Sequence, residues 1–113
     1  MADAPLTPAV FALLLALSEG QRHGYALVTE VEQLTEGVIR LGPGTLYRSL
    51  QRMRVDGLIE ELTDAGEETD VHDRRAERRR SYQITDAGRD AARAEARRLA
   101  ALVDAARQRG LFT

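Results

Sequence analysis

Apolar residues fill the chain from Ala9 to Leu17 without a polar interruption. Thr7-Pro8 in front of this run combines an N-cap residue with a proline at the first helical position, so a helix is predicted to about Leu17 or Ser18. Such a helix is apolar all round and has to be covered on more than one side. Ser18-Glu19-Gly20-Gln21-Arg22 predicts a turn, and His23-Gly24 opens a second helix. Tyr25, Val28, Val31 and Leu34 mark its expected buried stripe, with Thr29, Glu30, Glu32 and Gln33 facing water and Thr35-Glu36-Gly37 ending it. Val38 to Leu41 is a short extended connection. From Pro43 onward, Leu46, Leu50 and Met53 recur at helical spacing. Thr45, Arg48, Ser49 and Arg52 then fall on the opposite side, flanked by Tyr47 and Arg54, and Gly57 stops the helix.

After Gly57 the period switches from helical to two. Leu58 to Thr63 predicts a strand, although Glu60-Glu61 spoils its alternation. Residues 64–79 are a charged loop, and Arg80 to Thr85 predicts the returning strand, with Tyr82 and Ile84 on one face. Thr85 or Asp86 caps a last helix that runs to about Arg109, with Gly110 as its stop. At ~1.5 Å per residue that helix spans ~35 Å. Ala87, Ala91, Ala94, Leu99, Leu102, Val103 and Ala106 form its apolar stripe among nine charged side chains. The expected fold class is therefore mainly α with a small β-wing: three helices, a two-stranded antiparallel wing and a long C-terminal helix. The first helix and the distal half of the last one both carry more apolar surface than so short a chain covers, and both ask for a partner chain.

Composition narrows the function classes. At 113 residues the chain forms one domain. The absence of cysteine removes disulfides, thiolate metal sites, cysteine nucleophiles and thiol redox sensing, and fits a reducing compartment. The apolar run 9–17 is too short to span a bilayer and is preceded by Asp3 with no basic residue, so it does not read as a secretory segment. The expectation is a cytoplasmic protein with no membrane partner. Ser18, Ser49 and Ser81 lack a base and an oxyanion setting, and no phosphate-loop or nucleophile-elbow motif occurs, so no catalytic residue is assigned. His72 stands without a second spaced histidine, and no metal or cofactor is expected. His23, beside Gly24-Tyr25, reads as a packing residue. Met1 to Leu6 reads as a mobile start.

Charge changes the picture more than composition does. The formal net charge is −2, yet Arg40, Arg48, Arg52 and Arg54 occur with no acid between them, and Arg74, Arg75, Arg78, Arg79 and Arg80 cluster around Glu77. Acids from Asp56 to Asp73 lie between the two basic blocks. All sixteen basic residues are arginine, the residue whose planar fork meets phosphate or guanine with two donors at once. Local fields steer a charged partner more than net charge does. A helix that packs on one side and presents arginine, hydroxyl and amide groups on the other suits a DNA major groove.

Four stretches strengthen that reading: Leu17-Ser18-Glu19-Gly20, Arg22-His23-Gly24-Tyr25, Pro43-Gly44-Thr45-Leu46-Tyr47 through Gly57-Leu58-Ile59, and Arg80-Ser81-Tyr82-Gln83-Ile84-Thr85-Asp86-Ala87-Gly88-Arg89. In this order and spacing the chain resembles the PadR family of winged helix-turn-helix transcription factors, in the short subgroup with one C-terminal helix. The resemblance implies a dimeric repressor of inverted-repeat operators, assembled through the last helix of each subunit against the partner's first and last helices. It implies a DNA-contact role for Thr45, Tyr47 and Arg48, with Leu46 in the core. It also implies residues 1–85 as the DNA-binding unit and 86–113 as a dimerisation helix continuous with it. The chain departs from its relatives at Arg48, where many carry proline, and at Met53-Arg54, where leucine-glutamate is common. Its wing loop is longer and more acidic than usual. It also lacks the tryptophans between which some relatives hold flat drugs.

The expected DNA-binding residues are Gly44, Thr45, Tyr47, Arg48, Ser49, Gln51, Arg52 and Arg54 on the third helix, with Arg78, Arg79 and Arg80 on the wing. Val10, Phe11, Leu14, Ala91, Leu99, Leu102, Val103 and Ala106 are the expected homodimer interface. The expected partners are double-stranded DNA, a second copy of the chain and a small-molecule inducer at the dimer interface. The alternative is a winged-helix module whose arginine face binds an acidic protein.

Overall fold

Local signals place most elements where the spacing predicts them. The structure is a computed structural model that describes residues 5–62 and 80–112. Helix α1 (Pro8–Ser18) begins on Thr7, whose hydroxyl accepts the Val10 N–H, with Pro8 in the first turn. Strand β1 (Arg22–His23) leads into helix α2 (Gly24–Leu34), and helix α3 (Pro43–Val55) starts from Gly42. Strands β2 (Ile59–Leu62) and β3 (Ser81–Ile84) precede helix α4 (Asp86–Gln108). Thr85 accepts the Gly88 N–H at 3.0 Å and donates its own hydroxyl proton to the Gly57 carbonyl at 2.7 Å. One side chain thus caps α4 and ties its start to the end of α3.

Leu13, Leu14 and Leu17 of α1, Leu27 and Val31 of α2, and Leu46, Leu50 and Met53 of α3 meet Ile59 and Tyr82 of the sheet in one core. Each such leucine contributes about 1.5–3 kcal/mol by leaving water. The amphipathic reading of α3 holds residue by residue, since Leu46, Leu50 and Met53 are its buried positions.

Five expectations are corrected. Helix α1 packs against α2, α4 and β3 of its own chain, so its apolar surround is met largely within the subunit. Leu14, expected at the dimer interface, is 0% exposed and has no surface to offer a partner, whereas Leu15 points outward. On α2 the buried stripe is Gly24, Leu27 and Val31, while Tyr25 is 59% and Leu34 47% exposed. The helix is turned so that Gly24 meets the Tyr47 ring, and a Cβ at Gly24 would lie 2.9 Å from the Tyr47 hydroxyl oxygen. Arg22, read as the end of a turn, and His23, read as opening the second helix, instead add a third strand: the sheet order is β1-β3-β2, with Arg22 opposite Tyr82 and His23 opposite Ser81. Two residues are too few to show an alternation, so only pairing reveals the strand. Leu6, read as part of a mobile start, donates its backbone N–H to Glu95 Oε1 at 3.0 Å and packs against the core.

The expected wing residues Arg78 and Arg79 lie outside the described residues, as do His72 and the acids from Asp64 to Asp73. Among the described residues, no helix is long and apolar enough to cross a membrane.

Candidate nucleic-acid interface

The face of α3 opposite its core stripe is open. Gly44, Thr45, Arg48, Gln51 and Arg52 are exposed, and Tyr47 and Ser49 are half-buried on its two flanks. Gly44, Tyr47, Arg48, Gln51, Arg52 and Val55 surround one shallow depression. Arg48 reaches the Thr45 hydroxyl at 3.4 Å, and Arg52 meets Asp56 at 3.3 Å, one helical turn away. Both contacts are long and exposed, and a surface pair of this kind is worth ~0–1 kcal/mol. Either guanidinium can exchange its partner for a phosphate or a base at little cost.

Arg54, expected on the same surface, turns toward the wing. Its Nη1 lies 3.4 Å from Glu61 Oε1, while Arg80 Nε lies 3.7 Å from Glu61 Oε2. Glu61 therefore joins the end of α3 to the returning strand. The strand register explains its position. Ile59 pairs with Ile84 and Glu61 with Tyr82, so Glu61 follows Ile59 on the core face of the sheet. Glu60 takes the opposite face and accepts a hydrogen bond from Gln83 at 2.7 Å. Glu61 was not among the expected site residues. Its one sequence signal is the broken alternation at Glu60-Glu61, which puts a carboxylate at a core-facing position.

The same cluster holds Tyr82. Burial pushes its phenol up to about 12, and the negative charge of Glu61 adds to the shift, with Tyr47 contributing and Arg80 and Arg54 opposing it. Tyr82 is thus a neutral, buried anchor beneath the two arginines. His23, expected as a packing residue, is exposed and stacks on the exposed Tyr25 with ring centroids 6.1 Å apart.

A second surface is formed by α4 and the outer side of α1. Leu99, Leu102 and Val103 of α4 are exposed, while Val10, Phe11, Ala91 and Ala106 are half-buried. Beside them a cavity of about 340 Å³ opens among Leu6, Phe11, Leu15, Leu34 and Leu99. Glu95 lines it, 5% exposed and ion-paired to Arg98.

Three packed helices, a small antiparallel sheet with α3 against it, and a long helix after the wing define a winged helix-turn-helix domain with a C-terminal helical extension. The chain belongs to the transcriptional regulator PadR-like family, whose profile matches residues 13–94. An uncharacterized 37.1 kDa protein in transposon TN4556 of Streptomyces fradiae is 36% identical over 90 residues, covering 80% of this chain. The chain spans only 22% of that relative's length. A transcriptional regulator from Clostridium thermocellum superposes with a TM-score of 0.69 at 23% identity, over 88% of this chain and 87% of the other. A PadR family transcription regulator from Clostridium difficile gives 0.67 at 20% identity, over 90% and 97% of the two chains. At these identities the two structures share the fold with this chain.

Proposed function

We propose that the protein is a dimeric, sequence-specific DNA-binding repressor relieved by a small-molecule effector, acting in the cytoplasm and without enzymatic activity. The observation that carries this reading is the exposed face of α3, where Arg48, Gln51 and Arg52 stand opposite Leu46, Leu50 and Met53 with no acid among them. Residues 44–54 of each subunit enter successive major grooves about one helical turn, ~34–36 Å, apart on an inverted-repeat operator. Residues 1–85 form the DNA-binding unit, and Arg80 with Arg78 and Arg79 grips the flanking backbone or minor groove. Helix α4 pairs with its copy through Leu99, Leu102, Val103 and Ala106, with Val10, Phe11 and Ala91 at the edge. The effector binds beside that seam, changes the spacing of the two α3 helices and so favours the form that does not fit DNA.

Titration of a DNA fragment from upstream of the protein's own gene tests this reading. Affinity is expected to fall steeply as salt rises, and to survive competition by unrelated DNA. Replacing Arg48 and Arg52 together by alanine is expected to weaken operator binding by about tenfold or more, as loss of base and phosphate contacts requires. Undiminished affinity in that variant refutes the docking mode. Salt-insensitive or absent DNA binding, with capture of an acidic protein instead, favours the interaction-module reading.

A further inference from the structure

Glu61 occupies a position that burial rules reserve for an apolar side chain. It shares the core face of β2 with Ile59, sits directly across from the buried Tyr82, and is only one-fifth exposed. A carboxylate there is retained at a cost unless cations meet it. Two do: Arg54 from the last turn of α3 and Arg80 from the edge of β3, one on each oxygen. Each arginine keeps about two-fifths of its side chain in solvent, so each has N–H groups left over after meeting Glu61. The three side chains together carry one net positive charge, at the seam between helix and wing.

We propose that Glu61 is a positioning residue that holds Arg54 and Arg80 side by side as a two-pronged clamp for one stretch of DNA backbone phosphate. This rests on the DNA-binding reading above and adds a residue to it that touches no DNA. The carboxylate fixes two otherwise floppy guanidinium groups from different elements, so the ordering cost is met before DNA arrives. It also ties the end of α3 to the wing, because Arg54 reaches it from the helix and Arg80 from the returning strand. Breaks in local pattern of this kind concentrate at functional positions.

The sign of the effect separates this idea from plain electrostatics. An acid near a DNA-binding face repels phosphate, so removing it should tighten binding if repulsion is all it does. The clamp requires the opposite. Glu61→Gln, which keeps the shape and loses the charge, is expected to weaken binding of the wild-type operator fragment about three- to tenfold. It is also expected to lower the steepness of the salt dependence by about one to two phosphate contacts, at ~0.9 per contact. Glu61→Asp keeps the charge but is one methylene too short to serve both arginines, and is expected to weaken binding as well. Arg54→Ala and Arg80→Ala, at positions that keep part of the side chain in solvent, are expected to be non-additive with each other, since either alone breaks the clamp. Tighter or unchanged binding by Glu61→Gln with an unaltered salt slope overturns the proposal. So do strictly additive losses in the two arginine variants, a measurement that leaves Glu61 in place and does not depend on its variants folding. If the wild-type protein itself shows no salt-dependent DNA binding, the functional reading fails instead, and the two failures are distinct.

Discussion

A Cβ added to Gly88 would run into the Leu58 carbonyl and lie 2.8 Å from the Ile84 side chain, and a carbonyl of the main chain cannot step aside. That carbonyl already accepts the Thr85 N–H at 3.1 Å, which fixes the junction of β2, β3 and α4. Gly88→Ala is therefore expected to destabilise the protein by about 1–3 kcal/mol in urea unfolding, the range for overpacking. Gly44→Ala serves as the control, because its Cβ meets only the end of Arg48 at 3.5 Å, and it is expected to leave stability unchanged or raise it slightly. Tyr82 yields a second expectation at this scale. Its pKa is raised in the folded protein from 10 to about 12, so the folded state holds the proton that the unfolded chain releases. Its contribution to stability is complete below pH 10 and is lost as the pH climbs through about 12. Alkaline unfolding of wild type should steepen in that window, and Tyr82→Phe should flatten it. Neither constraint was legible from local spacing. Gly88 stood only in the family-like stretch, and Tyr82 was legible as sharing a strand face with Ile84 but not as sharing a cluster with Glu61.

At the level of the element, α3 divides its labour by face, and substitutions on the two faces should separate cleanly. Leu50→Ala is expected to cost about 2–5 kcal/mol of stability, because Leu50 is wholly enclosed between α3 and the core. The Arg48→Ala, Arg52→Ala pair is expected to stay within about 0.5 kcal/mol of wild type in thermal melting while losing DNA affinity. This division was legible because caps and helical spacing act over a single turn, so Gly42-Pro43 and the Leu46, Leu50, Met53 recurrence carry it alone. Helix α2 shows the opposite case. Spacing marks a stripe through Tyr25 and Leu34, whereas Gly24, Leu27 and Val31 are buried, with Gly24 against the Tyr47 ring.

For the whole molecule, the open question of partnership falls on α4. Leu102 is 62% exposed, and with Leu99 and Val103 it forms a stripe that the chain's own core leaves uncovered. Replacing Leu102 and Val103 together by glutamate is expected to convert the proposed dimer to a monomer in sedimentation while leaving helical content intact, since both positions are solvent-facing in the subunit. Operator affinity should fall with it, because two half-sites are then no longer bound as a unit. A dimer that survives this change uses another surface.

The sequence by itself determined the order and type of the helices, the core stripe of α3, the cap of α4 and the family. Each depends on neighbours within a turn or on an ordered set of short motifs. Tertiary structure alone decided that α1 is covered largely by α2, α4 and β3 of its own chain, that Arg22-His23 joins the sheet, and that Leu6 is pinned by Glu95. It alone brought Arg54 and Arg80 onto opposite oxygens of Glu61. These are contacts between distant segments, set by how faces meet in space, and periodicity along a single segment carries no record of the partner it will meet.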